Sequence, residues 1–238
     1  DSTGSMQPTI DAVRAGLRDV FSFLGGLTTD MEVGLVHYRD HMDFPGAKGE
    51  GAGAEVLARL SPGITRAQKH LDAIQAQGGG DMPERVAGGL WLALQSRMGW
   101  KPLANKMVIV LGDAPPHAVE RAAELAKEAH DSPETFLESR RRVVTGPGRR
   151  SRPRPFVTST VAVGSFGAHG VTARAFRRIS AAGGGAYVPF STRGDSRDVT
   201  TEIVKRLVEL SFGDRYVAEA RRLVDIYFTY RDAGYIRE

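Results

Sequence analysis

Three short stretches hold the side chains best suited to chemistry. Asp1-Ser2-Thr3-Gly4-Ser5-Met6 places a carboxylate and two hydroxyls on alternate residues, Asp1, Thr3 and Ser5, directly ahead of a helical pattern. Gly79-Gly80-Asp81-Met82-Pro83-Glu84 opens a second helical pattern with two acids. Gly112-Asp113-Ala114-Pro115-Pro116-His117 follows a continuous apolar run. Every donor is a hard oxygen and none is sulfur, which suits Mg²⁺, Ca²⁺ or Mn²⁺ rather than zinc. A spacing of two lets one loop aim three oxygens at a single point. Mg²⁺ binds oxygen at about 2.0–2.1 Å and keeps several waters, so few carboxylates suffice. Taken singly, each stretch also reads as a helix cap or as acids favoured by a helix dipole. Together, in this order and each at a strand end, they favour one cation held by Asp1, Thr3, Ser5, Asp113 and an acid of the middle stretch, Asp81 or Glu84. His117 reads as a turn residue, and Trp91 and Trp100 read as packing.

These loops need elements to carry them. Ile10, Val13, Leu17, Val20, Phe21 and Leu24 recur at helical spacing up to Gly25-Gly26. Met31 to Tyr38 alternates as a strand does, and Val56 to Leu60 is a short strand candidate beyond a Gly- and Ala-rich loop. Ile64 to Ala76 predicts an amphipathic helix. Pro83, in a first-turn position, predicts a helix running to about Met98. Lys106 to Leu111 is apolar throughout, the mark of a strand covered on both faces. Helices follow at Val119 to His130, Val171 to Ala181, Val199 to Leu210 and Asp214 to about Tyr230, with strands at Phe156 to Val163 and Ala186 to Phe190. Strands alternating with helices imply an α/β fold: a doubly wound, mostly parallel open sheet with helices on both faces. Ligands of such sheets sit beyond the carboxyl ends of the strands, where the three stretches fall.

Composition narrows the classes of function. The chain has 238 residues, 41% hydrophobic and 25% charged, as a globular protein does. No apolar run reaches the roughly 18 residues of a membrane helix. It contains no cysteine, which removes disulfides and thiolate chemistry and suits a reducing, cytoplasmic setting. The net charge of +4 misleads. Residues 140–154 alone carry seven arginines (Arg140, Arg141, Arg142, Arg149, Arg150, Arg152 and Arg154) and no acid, so the remainder is net acidic. That run could neutralise phosphates of a nucleic acid or another polyanion. It holds Pro147 and Pro153 and no aromatic to stack on bases, so a solvated loop fits it better. There is no G-x-x-x-x-G-K-[ST] loop, and Gly164-Ser165-Phe166-Gly167 lacks the spacing of a nucleophile elbow. A phosphotransferase of the haloacid dehalogenase class would need an acid where Thr3 stands. No free general base accompanies the proposed ligands, so the expectation is a binding protein and not an enzyme.

Asp1-Ser2-Thr3-Gly4-Ser5 resembles the D-x-S-x-S metal-ion-dependent adhesion site of von Willebrand factor A domains, with Thr3 in place of the first serine. Val108-Ile109-Val110-Leu111-Gly112-Asp113 resembles the family's later strand and its aspartate. Gly80-Asp81-Met82-Pro83-Glu84 is similar to the D-x-P-E loop of the integrin β A-like domain and of many bacterial A domains, and Ala182 to Tyr187 to a common family ending. The likeness spans about residues 1–212, with an Arg- and Pro-rich insertion at about 131–155 and a helical extension at 213–238. It implies that Glu84 is the middle donor, with Asp81 the alternative, and that a central strand precedes Asp1 between the Met31 to Tyr38 and Lys106 to Leu111 strands. It further implies a module that binds Mg²⁺, or else Mn²⁺ or Ca²⁺, and through it an Asp or Glu carboxylate of a partner protein. Bacterial relatives of this type suggest work beside an ATPase, chelatase, kinase or protease. Nucleic-acid binding through the arginine run is the alternative function.

Overall fold

The computed structural model describes residues 1–14, 16, 23, 30–40, 49–78, 82–137, 143–144, 150–164, 170–190, 201, 205–208 and 217–235. A 3₁₀ turn at Gly4–Met6 leads into helix α1, residues 7–14. Strand β1 (Glu32–Tyr38) pairs antiparallel with β2 (Ala54–Pro62), and helices α2 (Thr65–Ala73) and α3 (Val86–Leu94) follow. Next come β3 (Lys106–Gly112) and α4 (Val119–Asp131). A two-residue hairpin, β4 (Val143–Val144) with β5 (Arg150–Ser151), precedes β6 (Phe156–Val163). Helix α5 (Gly170–Ala182), strand β7 (Gly184–Phe190) and helix α6 (Val217–Asp232) complete the order. Strands β3, β6 and β7 form a parallel sheet in that order. The doubly wound α/β expectation therefore stands.

Alternation along β3 explains the two layers of helices. Val108 and Val110 face a cluster built from α3, α4 and α5 (Leu90, Leu94, Leu125, Phe176 and Ile179 among others). Ile109 and Leu111 face the opposite cluster, where Met6, Ile10, Leu71, Val224 and Phe228 lie. Side chains that point both ways from one strand need apolar cover on both sides, which is why this strand reads as apolar throughout. Helix α6 contributes to the second cluster through Val224 and Phe228, while Leu223 on its other side is exposed.

Strands β1 and β3 belong to separate sheets. Asp1 and Ser2 lie between them. The Asp1 amino group donates to the Leu111 carbonyl at 3.0 Å, and the Ser2 N–H donates to the Tyr38 carbonyl at 3.0 Å. The Tyr38 hydroxyl spans the same gap, donating to the Leu111 carbonyl at 2.8 Å.

At the opposite end of the sheet Lys106 is buried. Its ammonium donates to the carbonyls of Pro102 (2.6 Å), Ala104 (3.3 Å) and Arg154 (2.9 Å), and lies 5.5 Å from the Phe156 ring centre. Burial, with the nearby Arg154 guanidinium, lowers its pKa to about 8. The base of β3 is thereby tied to the residues that lead into β6.

One local expectation fails. Pro83 does not start a helix: α3 begins at Val86, and the Met82–Pro83 peptide is cis. Glu84 is instead in extended pairing with the 115–117 segment. Its N–H donates to the Pro115 carbonyl at 2.9 Å, and its carbonyl accepts from the His117 N–H at 3.1 Å. Two bonds to a distant segment displace the first helical turn, whose N–H groups would have found no partner inside the helix.

Candidate metal centre

The first loop is held by its own side chains. Asp1 Oδ1 accepts from the Thr3 N–H at 3.0 Å and from the Thr3 hydroxyl at 2.8 Å. The Thr3 and Ser5 hydroxyl oxygens are 3.4 Å apart. Thr3 is buried and Ser5 is exposed, so the row of oxygens runs from the interior towards solvent. Asp1 Oδ2 is buried and has no hydrogen-bond partner. An orphaned carboxylate oxygen is costly unless something charged or protic meets it.

That oxygen lies above β3. A Cβ placed on Gly112 would sit 3.1 Å from Asp1 Oδ2 and 2.5 Å from the Tyr38 hydroxyl. Only a residue without a side chain lets the Asp1 carboxylate and Tyr38 share the strand end. Asp113 follows immediately, half-buried, and Glu84 is buried at 3% exposure. The carboxylates of Glu84 and Asp113 both act on Tyr38, which burial first and those charges second push well above the ordinary phenol range. The two loops are fixed to each other by the Glu84 pairing with Pro115 and His117. The first loop is fixed to the segment before the middle stretch by two bonds, from the Gly4 N–H to the Gly78 carbonyl (3.2 Å) and from the Gln77 N–H to the Ser2 carbonyl (3.1 Å).

Asp1, with Thr3 and Ser5 following it, and Asp113 thus lie at the end of β3, and Glu84 is paired to the segment that follows Asp113. Asp81 lies outside the described residues. Among the described residues no three His, Asp or Glu side chains stand close enough to hold an ion by themselves. A site with this donor set would have to combine the two hydroxyls with carboxylate oxygens and water, a composition that hard cations accept. The orphaned Asp1 oxygen and the all-oxygen donor set fit such an ion.

His117 is exposed at the rim, its Nε2 3.3 Å from Asp40 Oδ1. Of the arginine run, Arg140, Arg141, Arg142 and Arg149 lie outside the described residues, and Arg150 is placed only as part of β5. Arg152 donates to the Asp131 carbonyl and Arg154 to Asn105 Oδ1, so both bind the domain itself. Among the described residues no helix is long and apolar enough to cross a membrane.

Three residues at the site carry no motif. Ser2, His37 and Arg39 form a hydrogen-bonded group behind the first loop. A serine between two expected ligands gives no signal in sequence, and its partners lie 35 and 37 residues away.

Solved structures share this architecture. The chain superposes on a von Willebrand factor type A protein from Catenulispora acidiphila with a TM-score of 0.54 at 15% identity, over 87% of this chain and 40% of that one. On the VWA domain of SpRpn10 the TM-score is 0.51 at 9% identity, over 80% and 82% of the two chains. The fold is that of a von Willebrand factor A domain. In sequence, a stretch of 127 residues is 32% identical to the alpha-protein kinase vwkA of Dictyostelium discoideum, spanning half of this chain and 18% of that protein. No family model matches the chain.

Proposed function

We propose that this A-type domain is a divalent-cation-dependent protein-binding module without catalytic activity of its own. Asp1, Thr3, Ser5, Glu84 and Asp113 hold the ion directly or through water, with Asp81 the alternative to Glu84. Mg²⁺ is the ion the donor set favours, with Mn²⁺ and Ca²⁺ as substitutes. Once bound, the cation supplies a Lewis-acidic position that an Asp or Glu carboxylate of a partner can fill. The observation that carries the reading is the buried, unpartnered Asp1 Oδ2, on a carboxylate whose other oxygen accepts from the Thr3 hydroxyl.

The protein supplies the rest. Asp1 Oδ1 accepts a hydrogen bond from the Thr3 hydroxyl, which leaves lone pairs of the Thr3 oxygen for a cation. The backbone pairing of Glu84 with the 115–117 segment keeps the two acidic loops at a fixed separation. Likeness to part of a much longer kinase supports service beside a catalytic partner, an ATPase, chelatase, kinase or protease in this reading.

Calorimetric titration with Mg²⁺ and Mn²⁺ tests the site. Binding by the wild type and its loss in Asp1→Ala and Asp113→Ala, with unchanged far-ultraviolet circular dichroism, are the expected results. Equal affinity in all three proteins would overturn it. For the partner, capture by an immobilised acidic peptide should require Mg²⁺ and vanish with chelator.

A further inference from the structure

Ser2 stands between two proposed ligands and is fully buried. Its backbone is tied on both sides, by its N–H to the Tyr38 carbonyl and by its carbonyl to the Gln77 N–H. Its hydroxyl oxygen receives the Arg39 Nε–H at 2.9 Å and lies 3.3 Å from His37 Nδ1. The other ring nitrogen of His37 is 3.2 Å from Glu55 Oε2.

The proton positions follow from what each group can do. A carboxylate only accepts, so His37 carries its proton on Nε2 and donates it to Glu55. Nδ1 is then a bare acceptor at 3.3 Å, closer than the Tyr38 carbonyl at 3.4 Å that the Ser2 hydroxyl also reaches, and the hydroxyl donates to it while accepting from Arg39. The order Ser2, His37, Glu55 is the one a serine nucleophile uses. Here it cannot serve that purpose, because Ser2 has no exposed surface and its oxygen is occupied by a guanidinium N–H. What the chain of bonds does accomplish is to fix the residue between Asp1 and Thr3, whose side chains are hydrogen-bonded to each other.

We infer that Ser2, His37 and Arg39 are positioning residues that hold the Asp1–Ser5 loop in its ion-binding shape before any ion arrives. The inference rests on the metal reading above. It assigns to the end of β1 a role in affinity that none of its side chains performs by touching the ion. Groups that orient ligands in this way typically set metal affinity by about 10–100-fold.

The test compares wild type, Ser2→Ala, His37→Leu and His37→Gln by Mn²⁺ titration and by hydrogen exchange of the Thr3 to Met6 amides in chelator. Ser2→Ala and His37→Leu should each weaken Mn²⁺ binding by about tenfold or more and speed exchange in that loop, with exchange in β3 and β6 unchanged. His37→Gln, whose amide oxygen can accept from Ser2, should recover most of the loss. If Ser2→Ala fails to fold, the two His37 variants carry the comparison alone. Wild type that binds no Mn²⁺ removes the metal reading and this inference with it. Wild type that binds, with either affinity or loop exchange unmoved in the variants, or with His37→Gln no better than His37→Leu, overturns this inference alone.

Discussion

Gly112 has no room for a methyl group. Its Cβ would meet the Tyr38 hydroxyl at 2.5 Å and Asp1 Oδ2 at 3.1 Å, and the hydroxyl is held in place by the Leu111 carbonyl. Gly112→Ala should therefore cost about 1–3 kcal/mol, the usual range for overfilling a packed site. Urea unfolding measures it, and a Tyr38→Phe background, which removes the obstructing oxygen, should recover part of the loss. His37 makes a prediction about pH. Burial holds its pKa below the ordinary 6.5, despite the opposing pull of Glu55. The unfolded chain then binds a proton before the native protein does. Stability falls as pH drops below about 6.5 and levels off once the native ring is also charged. Denaturation midpoints between pH 8 and pH 5 should show this slope, and His37→Gln should flatten it. The ligand candidates were readable because hard donors at loop positions are conspicuous. Ser2, His37 and Arg39 were not, because a contact between residues this far apart leaves no local pattern.

At the scale of elements, the legible features were those set by period. β3 was readable from its apolar run, and β6, α4 and α5 were expected where they lie, each to within a residue or two of its ends. Pairing partners were not readable. β2 runs for nine residues, well past the Val56 to Leu60 expected, because its antiparallel bonds to β1 extend the strand beyond its apolar centre. Glu84 left the helix its sequence predicts because the 115–117 segment binds its backbone. Helix α3 shows how closely such elements approach. A Cβ on Gly88 would lie 2.6 Å from the Ala52 carbonyl oxygen, and one on Gly89 would lie 2.7 Å from the Tyr38 ring. Gly88→Ala should be the harsher of the two, because it strikes backbone and not a side chain. Despite the better helix propensity of alanine, its melting temperature should fall further than that of Gly89→Ala.

For the whole molecule, the site joins two sheets that do not pair with each other. Asp1, Ser2 and Tyr38 bridge β1 to β3, and the acidic loops sit where that bridge meets the strand ends. An ion bound there by the native state and not by the unfolded chain stabilises the fold by mass action, by about 2.7 kcal/mol at one hundred times its dissociation constant. Saturating Mg²⁺ should therefore raise the melting temperature of the wild type and leave that of Asp113→Ala unchanged. A thermal scan of both proteins, with Mg²⁺ and with chelator, checks this at once.

The buried Lys106 has a mechanical consequence. A partner gripping the loops at the carboxyl end of β3 would draw that strand along its own axis. Seven residues of β3 lie in unbroken parallel register with β6, so a pull in this direction loads their hydrogen bonds side by side and not one after another. At the far end, the three carbonyls around the Lys106 ammonium act as a cleat between the base of β3 and the chain entering β6. Tension entering at Asp113 is shared between two strands before it reaches any loop.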